Sequence, residues 1–352
     1  MATSSPNGPA PPRADSSIRV FWRVLRANPL SFFGFLLCAF IGLTALVVVV
    51  APGLLVPYGP LQQNSLARNL GPSAHHLFGT DNLGRDIYSN VMLALPLDLG
   101  IGFAIAGSAL FIGGALGLVA GFYDTPGTLG GWLSIAIMRV TDIFLSFPSL
   151  ILALAMTRVL GLGVGPTVIA ITLTWWPFYV RLVRGEVLAV KHRPYVSAAR
   201  AAGVTENRIL LRHVLRNVLE PVIVYFTLDI GTVLVTYSTI GFVGVASKFP
   251  SAQPEWGAML AFYQGSGAAT SEPWLVLAPG AAIFVTVLAF SLLGDGLRDI
   301  LDPRTRRAFV RSTTTHDPPP ETTTALSSSS DEPDSDSSSA PAVGAVDARS
   351  AS

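Results

Sequence analysis

Charge is scarce in this chain. Asp, Glu, Lys and Arg make up 13% of its 352 residues, about half of the roughly 25% usual in soluble globular domains. Lysine is nearly missing: Lys191 and Lys248 stand against 21 arginines, a bias that reads as genomic base composition. Cys38 is the one cysteine, so an intrachain disulfide framework and a multi-cysteine metal site are both excluded. Of the five histidines only His75 and His76 adjoin, and two neighbouring side chains without a third ligand make a poor metal site. The phosphate-cradling GxxxxGK[ST], HExxH and GxSxG are all absent. The chain is therefore expected to have no catalytic residues and no cofactor of its own. A net charge of +1 leaves no electrostatic footprint for nucleic acid. Half of the residues are hydrophobic, and mean hydropathy is +0.52. That composition points to an all-α membrane protein.

A crossing helix needs about 20 mostly apolar residues. Six stretches qualify: Ser31 to Ala51, Leu99 to Tyr123, Leu133 to Met156, Val164 to Val180, Val218 to Val245 and Trp274 to Gly294. The first lies too deep in the chain, and is too long, for a cleaved signal peptide. Short amphipathic pieces at Asp86 to Ala94 and Pro254 to Phe262 suit the membrane interface. With both termini inside, eighteen of the basic residues face the cytoplasm, eight of them between spans four and five. This bias predicts an N-in, C-in topology. The arm at 1–17 and the tail at 306–352, with its SSSSDEPDSDSSS run, have too little apolar surface to bury and are expected to be disordered.

Charge inside a span is costly and usually paired or functional. Arg139 and Asp142 sit three apart on one helix face, so a pair between them is expected. Asp229 has no partner in sequence; it either touches a translocation path or lies near the inner boundary, bonding a neighbouring helix. Gly113, Gly114 and Gly117 suit close helix packing that can slide.

The stretch from Arg181 to Pro221 is too long and too patterned for a simple connector. Pro194 suits a helix start, Tyr195 to Ala202 are good helix formers, and Gly203 fits a left-handed stop. Thr205 can cap a second helix that holds Ile209, Leu210, His213 and Val214 at helical spacing. The result is helix, glycine turn, helix. The alanines at 198, 199, 201 and 202 leave the first helix thin enough for a groove on another protein, although any amphipathic loop helix would use similar residues.

The spacing of Ala198, Ala199 and Gly203, followed by Ile209 and an apolar stretch to Pro221, resembles the EAA loop of importer-type ATP-binding-cassette (ABC) permeases. Four further blocks resemble the C subunit of dipeptide/oligopeptide permeases: FGTDNLGRDIYS (78–89), MRVTDIFLSFPSLILALA (138–155), WPFYVRLVRGEVL (176–188) and FSLLGDGLRDILDPR (290–304). The likeness covers about Phe21 to Arg304. It implies a first span with an extracellular segment over 18–90, a five-helix permease core over 91–305, and an EAA-type loop at 191–221. It also implies a bacterial cell-membrane location.

In that family the loop forms a cytoplasmic coupling helix that inserts into a separate ATP-binding subunit. The resemblance assigns that contact to Tyr195, Ser197, Ala198, Ala199, Ala202 and Gly203. Ser197 stands where the motif usually opens with glutamate, and Arg216 where a proline often precedes Asn217. The implied partners are a second permease forming a heterodimer, ATP-binding subunits and an extracellular substrate-binding lipoprotein. The implied cargo is di- or oligopeptide, with nickel, glutathione or another small solute as the alternative. An ion-gradient-driven secondary transporter would instead call for an internal repeat and several coupling carboxylates. Of the carboxylates, only Asp142 and Asp229 lie away from the edges of the spans.

Overall fold

A computed structural model describes residues 28–60, 62–246, 249, 253–267 and 270–301. The N-terminal arm, Lys248 and the tail from 302 lie outside the described residues. The described chain is built of helices: α1 Pro29–Val50, α2 Ile87–Phe122, α3 Leu129–Leu145, α4 Ser149–Leu160, α5 Val164–Lys191, α6 Pro194–Ala201, α7 Glu206–Ile209, α8 Leu215–Phe242, α9 Trp256–Gly265 and α10 Trp274–Leu301. Two 3-10 turns, Pro52–Leu54 and Ser65–Ala67, lie between α1 and α2, and a π-turn, Leu210–Val214, joins α7 to α8.

Local chemistry sets the helix starts. Asn28 caps α1 by accepting from the Leu30 amide, with Pro29 at the first helical position. Asp86 caps α2 through the Ser89 amide, and Thr128 caps α3 through the Gly131 amide. The main core gathers Ile105 of α2, Tyr179 of α5, Ile230 and Leu234 of α8, and Ala289 of α10. Half-buried Cys38 packs at its edge.

Glycines decide how closely the helices approach. On α2, a Cβ at Gly113, Gly117 or Gly121 would fall within 3.0 Å of α5 atoms at Trp176, Val180 and Val187 respectively. The three lie four apart, so one α2 face is a groove for α5. Gly114 is off this stripe, its nearest neighbour being Leu110 of its own helix. The stripe expected from sequence is therefore shifted, with Gly121 in place of Gly114, and it seats α2 directly against α5. Gly34 and Gly296 likewise bring α1 and α10 together, against Leu292 and Ser31.

Among the described residues, four helical stretches are long and apolar enough to cross a membrane: 29–50, 87–122, 206–242 and 274–301. The stretch expected as one span over 133–156 is broken. Helices α3 and α4 meet at 88° across Ser146 to Pro148, because proline cannot continue the hydrogen-bond ladder and disfavours helix in the residue before it. Counted together they make a fifth stretch. The expected fourth span, in α5, runs on to Lys191 and takes in Arg181, Arg184 and Glu186, so its second half is polar. The interfacial piece expected at 86–94 is the first two turns of the 36-residue α2. The piece at 254–262 is a separate short helix, α9.

Candidate functional site

At one end of α2 the chain forms the exposed helix-turn-helix. Helix α5 stops at His192, and α6 follows with Pro194 at its first position. Gly203 takes φ +77°, the left-handed region that glycine enters without a Cβ penalty. The Gly203 amide donates to Arg200 O at 3.0 Å and the Val204 amide to Ala199 O at 3.2 Å. These are the two bonds of a Schellman stop. Its apolar partners, Val204 and Ala199, pack on a second cluster formed by Val183, Val187, Val190, Val196, Ile209, Val214 and Phe122.

Val196 is the one buried residue of α6, and Ala199 is half-buried. Tyr195, Ser197, Ala198, Ala202 and Gly203 are all exposed. The two inward residues anchor a thin helix whose remaining small side chains face outward. Thr205 occupies the cap position of α7, but its side chain makes no capping bond. Arg200 instead closes the turn, donating from Nε and Nη2 to Glu206 Oε1 and Oε2 at 2.6 and 3.1 Å. From there a π-turn carries the backbone into α8 without interruption, so α6 hangs between the ends of two long helices.

Asp229 is buried at the middle of α8. Trp175 Nε1 lies 3.0 Å from both of its oxygens, and Tyr179 donates its hydroxyl at 2.8 Å. These bonds fasten α8 to a neighbouring helix, α5. The expected Arg139–Asp142 pair is not formed. Arg181 of α5 reaches Asp142 at 2.7 Å, because the neighbouring helix presents a closer cation than the same face of α3. With both side chains about half exposed, this pair contributes little stability.

At the opposite end of α2, the FGTDNLGRDIYS block proves to be a folded clasp. Asp81 accepts from the Leu83 and Arg85 amides and from the Arg85 guanidinium, whose Nε lies at 2.8 Å. Arg85 is fully buried, with its guanidinium 4.4 Å from the centre of the Phe249 ring and 5.2 Å from that of Phe262. Gly84 is required because a Cβ there would strike the Asn64 carbonyl. His76 is 2.9 Å from Asp86, and no metal-binding group of three His, Cys, Asp or Glu occurs among the described residues. Deeper in, the Trp256 amide donates to Asp98 Oδ2 at 2.9 Å and the Tyr237 hydroxyl donates to Glu255, tying α9 to α2 and α8.

Sequence reasoning missed this clasp as a unit, since Phe249 and Phe262 lie far from Arg85 along the chain. It also missed the ties of Lys191, Tyr123 and Asn207 beside α6. A signal for Lys191 was available in the rarity of lysine.

Residues 113–307 match the family described as the inner membrane component of binding-protein-dependent transport systems. Residues 16–72 match the N-terminal transmembrane domain of oligopeptide transport permease C. The chain is 38% identical to the dipeptide transport system permease protein DppC of Alkalihalophilus pseudofirmus, over 87% of this chain and 97% of that protein. It is also 38% identical to the probable D,D-dipeptide transport system permease protein DdpC of Escherichia coli, over 81% and 91%. A glutathione transport system permease protein, GsiD of Pectobacterium atrosepticum, is 35% identical over 83% and 94%.

Proposed function

The chain belongs to the inner membrane components of binding-protein-dependent transport systems, the permease subunits of ABC importers, and from that premise we propose that it forms half of a di- or oligopeptide path and takes up ATP-driven motion through α6. It is not an enzyme; the ATPase lies in a separate subunit. One observation carries the reading of α6: a helix fixed by Val196, Ala199 and a Schellman stop leaves its five other motif positions open to a partner. Tyr195, Ser197, Ala198, Ala199, Ala202 and Gly203 are the contact positions. Ser197 carries a hydroxyl where the usual glutamate would carry a charge, so the dock is less acidic.

Six crossings with both termini cytoplasmic fit the molecule best. The first 17 residues of α5 carry no charge, and α3 with α4 supplies one bent crossing. The basic residues concentrate on the side that holds α6. On this reading 18–90 is an accessory span with its outer clasp, 91–305 is the core, and 306–352 is a tail. A second permease, ATP-binding subunits and a substrate-binding lipoprotein complete the importer.

Dipeptide permeases among the relatives favour peptide cargo, and the glutathione permease supports a second reading, itself a modified tripeptide. Uptake of labelled dipeptide by cells carrying the intact importer, challenged with unlabelled peptides or glutathione, separates them. Competition by dipeptides with none by glutathione is the expected result. Competition by glutathione alone would reverse the assignment.

A further inference from the structure

Helix α6 leaves and re-enters the bundle through two short stems, and both are tied to the C-terminal end of α2. Before α6, Lys191 Nζ donates to Gly121 O at 3.0 Å and to Asp124 O at 3.2 Å. The last carbonyls of a helix have no donor within it and carry partial negative charge, so an ammonium there acts as a cap. After α6, Asn207 Oδ1 accepts from the Tyr123 hydroxyl at 2.8 Å. Arg184, one face of α5 above Lys191, pairs with Asp124 at 2.8 Å. The bidentate Arg200–Glu206 contact then closes α6 onto α7.

Above this knot, the stripe of Gly113, Gly117 and Gly121 leaves no gap between α2 and α5. Anything that moves the end of α2 therefore moves α5 with it. Composition adds a second observation. In a chain with 21 arginines, one of only two lysines stands here. A compact ammonium with rotatable donors fits between two carbonyls, whereas the planar guanidinium fork matches a carboxylate.

We infer that Lys191 is a positioning residue of the transport cycle. Together with Tyr123–Asn207 it clamps both stems of α6 to the end of α2, so that displacement of α6 by an ATP-binding subunit moves the locked α2–α5 pair as one body. This inference rests on the coupling reading of α6. The 36 residues of α2 span about 54 Å at 1.5 Å per residue, long enough to carry the displacement to Asp86 and the clasp at the far end.

The test uses the complete importer in proteoliposomes, measuring substrate taken up per ATP hydrolysed. Lys191→Met is expected to retain its ATP-binding subunits and hydrolysis within about twofold while uptake per ATP falls at least about fivefold, the lower end of ordinary coupling effects. Lys191→Arg keeps the charge and should fall between Met and wild type. Uptake per ATP unchanged in Lys191→Met overturns the clamp and leaves the docking role of α6 standing. A wild-type chain that recovers no ATP-binding subunit overturns the docking role itself. If Lys191→Met fails to insert, Tyr123→Phe reads the clamp from its other stem by removing one exposed hydroxyl. A lowered ratio there supports the clamp and an unchanged one overturns it.

Discussion

A carboxyl group in the middle of an apolar helix is costly unless hydrogen bonds occupy its oxygens, and Asp229 has Trp175 and Tyr179 at 3.0 and 2.8 Å. Replacing it with leucine leaves two buried donors without an acceptor, at about 1–3 kcal/mol each. Asp229→Leu should therefore lower the melting midpoint of the detergent-solubilised protein clearly, and Asp229→Asn, which retains an acceptor oxygen, should lower it less. Tryptophan fluorescence during heating reads both. An Asn variant that melts like wild type but loses uptake would move Asp229 from helix tie to substrate path. Sequence locates such a residue in a span but cannot select its partner, because Trp175 and Tyr179 come from another helix. The same limit explains Asp142. Helical spacing identified Arg139 as a neighbour, whereas packing brought Arg181 within 2.7 Å.

Helix-scale features were legible wherever a short-range signal determines them. Pro194, Gly203 and the alanines between them encode their own start, stop and body, and the structure returns that helix and turn, while the expected second helix is the short α7 running into a π-turn without a Thr205 cap. The break between α3 and α4 was also present in sequence as Pro148, but apolar content over 133–156 outweighed it in the span count. The length of α2 was underestimated because its first turns hold Ser89 and Asn90, both buried against the clasp and bonded to Asp86. Gly203 gives this scale its prediction. A Cβ there meets nothing within 4 Å, so the backbone cost of substitution is strain, about 1–2 kcal/mol for most residues and less for asparagine and aspartate alike. Gly203→Asp adds a negative charge to the face that docks and should abolish uptake while membrane insertion stays normal, as read by membrane fractionation beside a transport assay, whereas Gly203→Asn, equally tolerated by the backbone but uncharged, should retain much of it. Normal uptake by the Asp variant would remove α6 from the coupling path.

For the whole molecule, the described helices form a bundle with two different ends joined by α2. One end is a closed clasp around buried Arg85; the other is an open helix on short stems. Composition was enough to show a membrane protein, and separated motif blocks were enough to show its family. Motif blocks could not show which residues bind the bundle together, since the glycine stripe and the clamp at Lys191 depend on which face α2 turns to α5. The central claim is that this chain is a force-transmitting half of an ATP-driven importer. Its most direct test is to purify the tagged full-length chain in mild detergent, identify what accompanies it, and assay the product in liposomes. The account predicts a related permease and ATP-binding subunits in fixed proportion, with uptake that stops when ATP is withheld. A chain recovered alone that moves solute without ATP would contradict it.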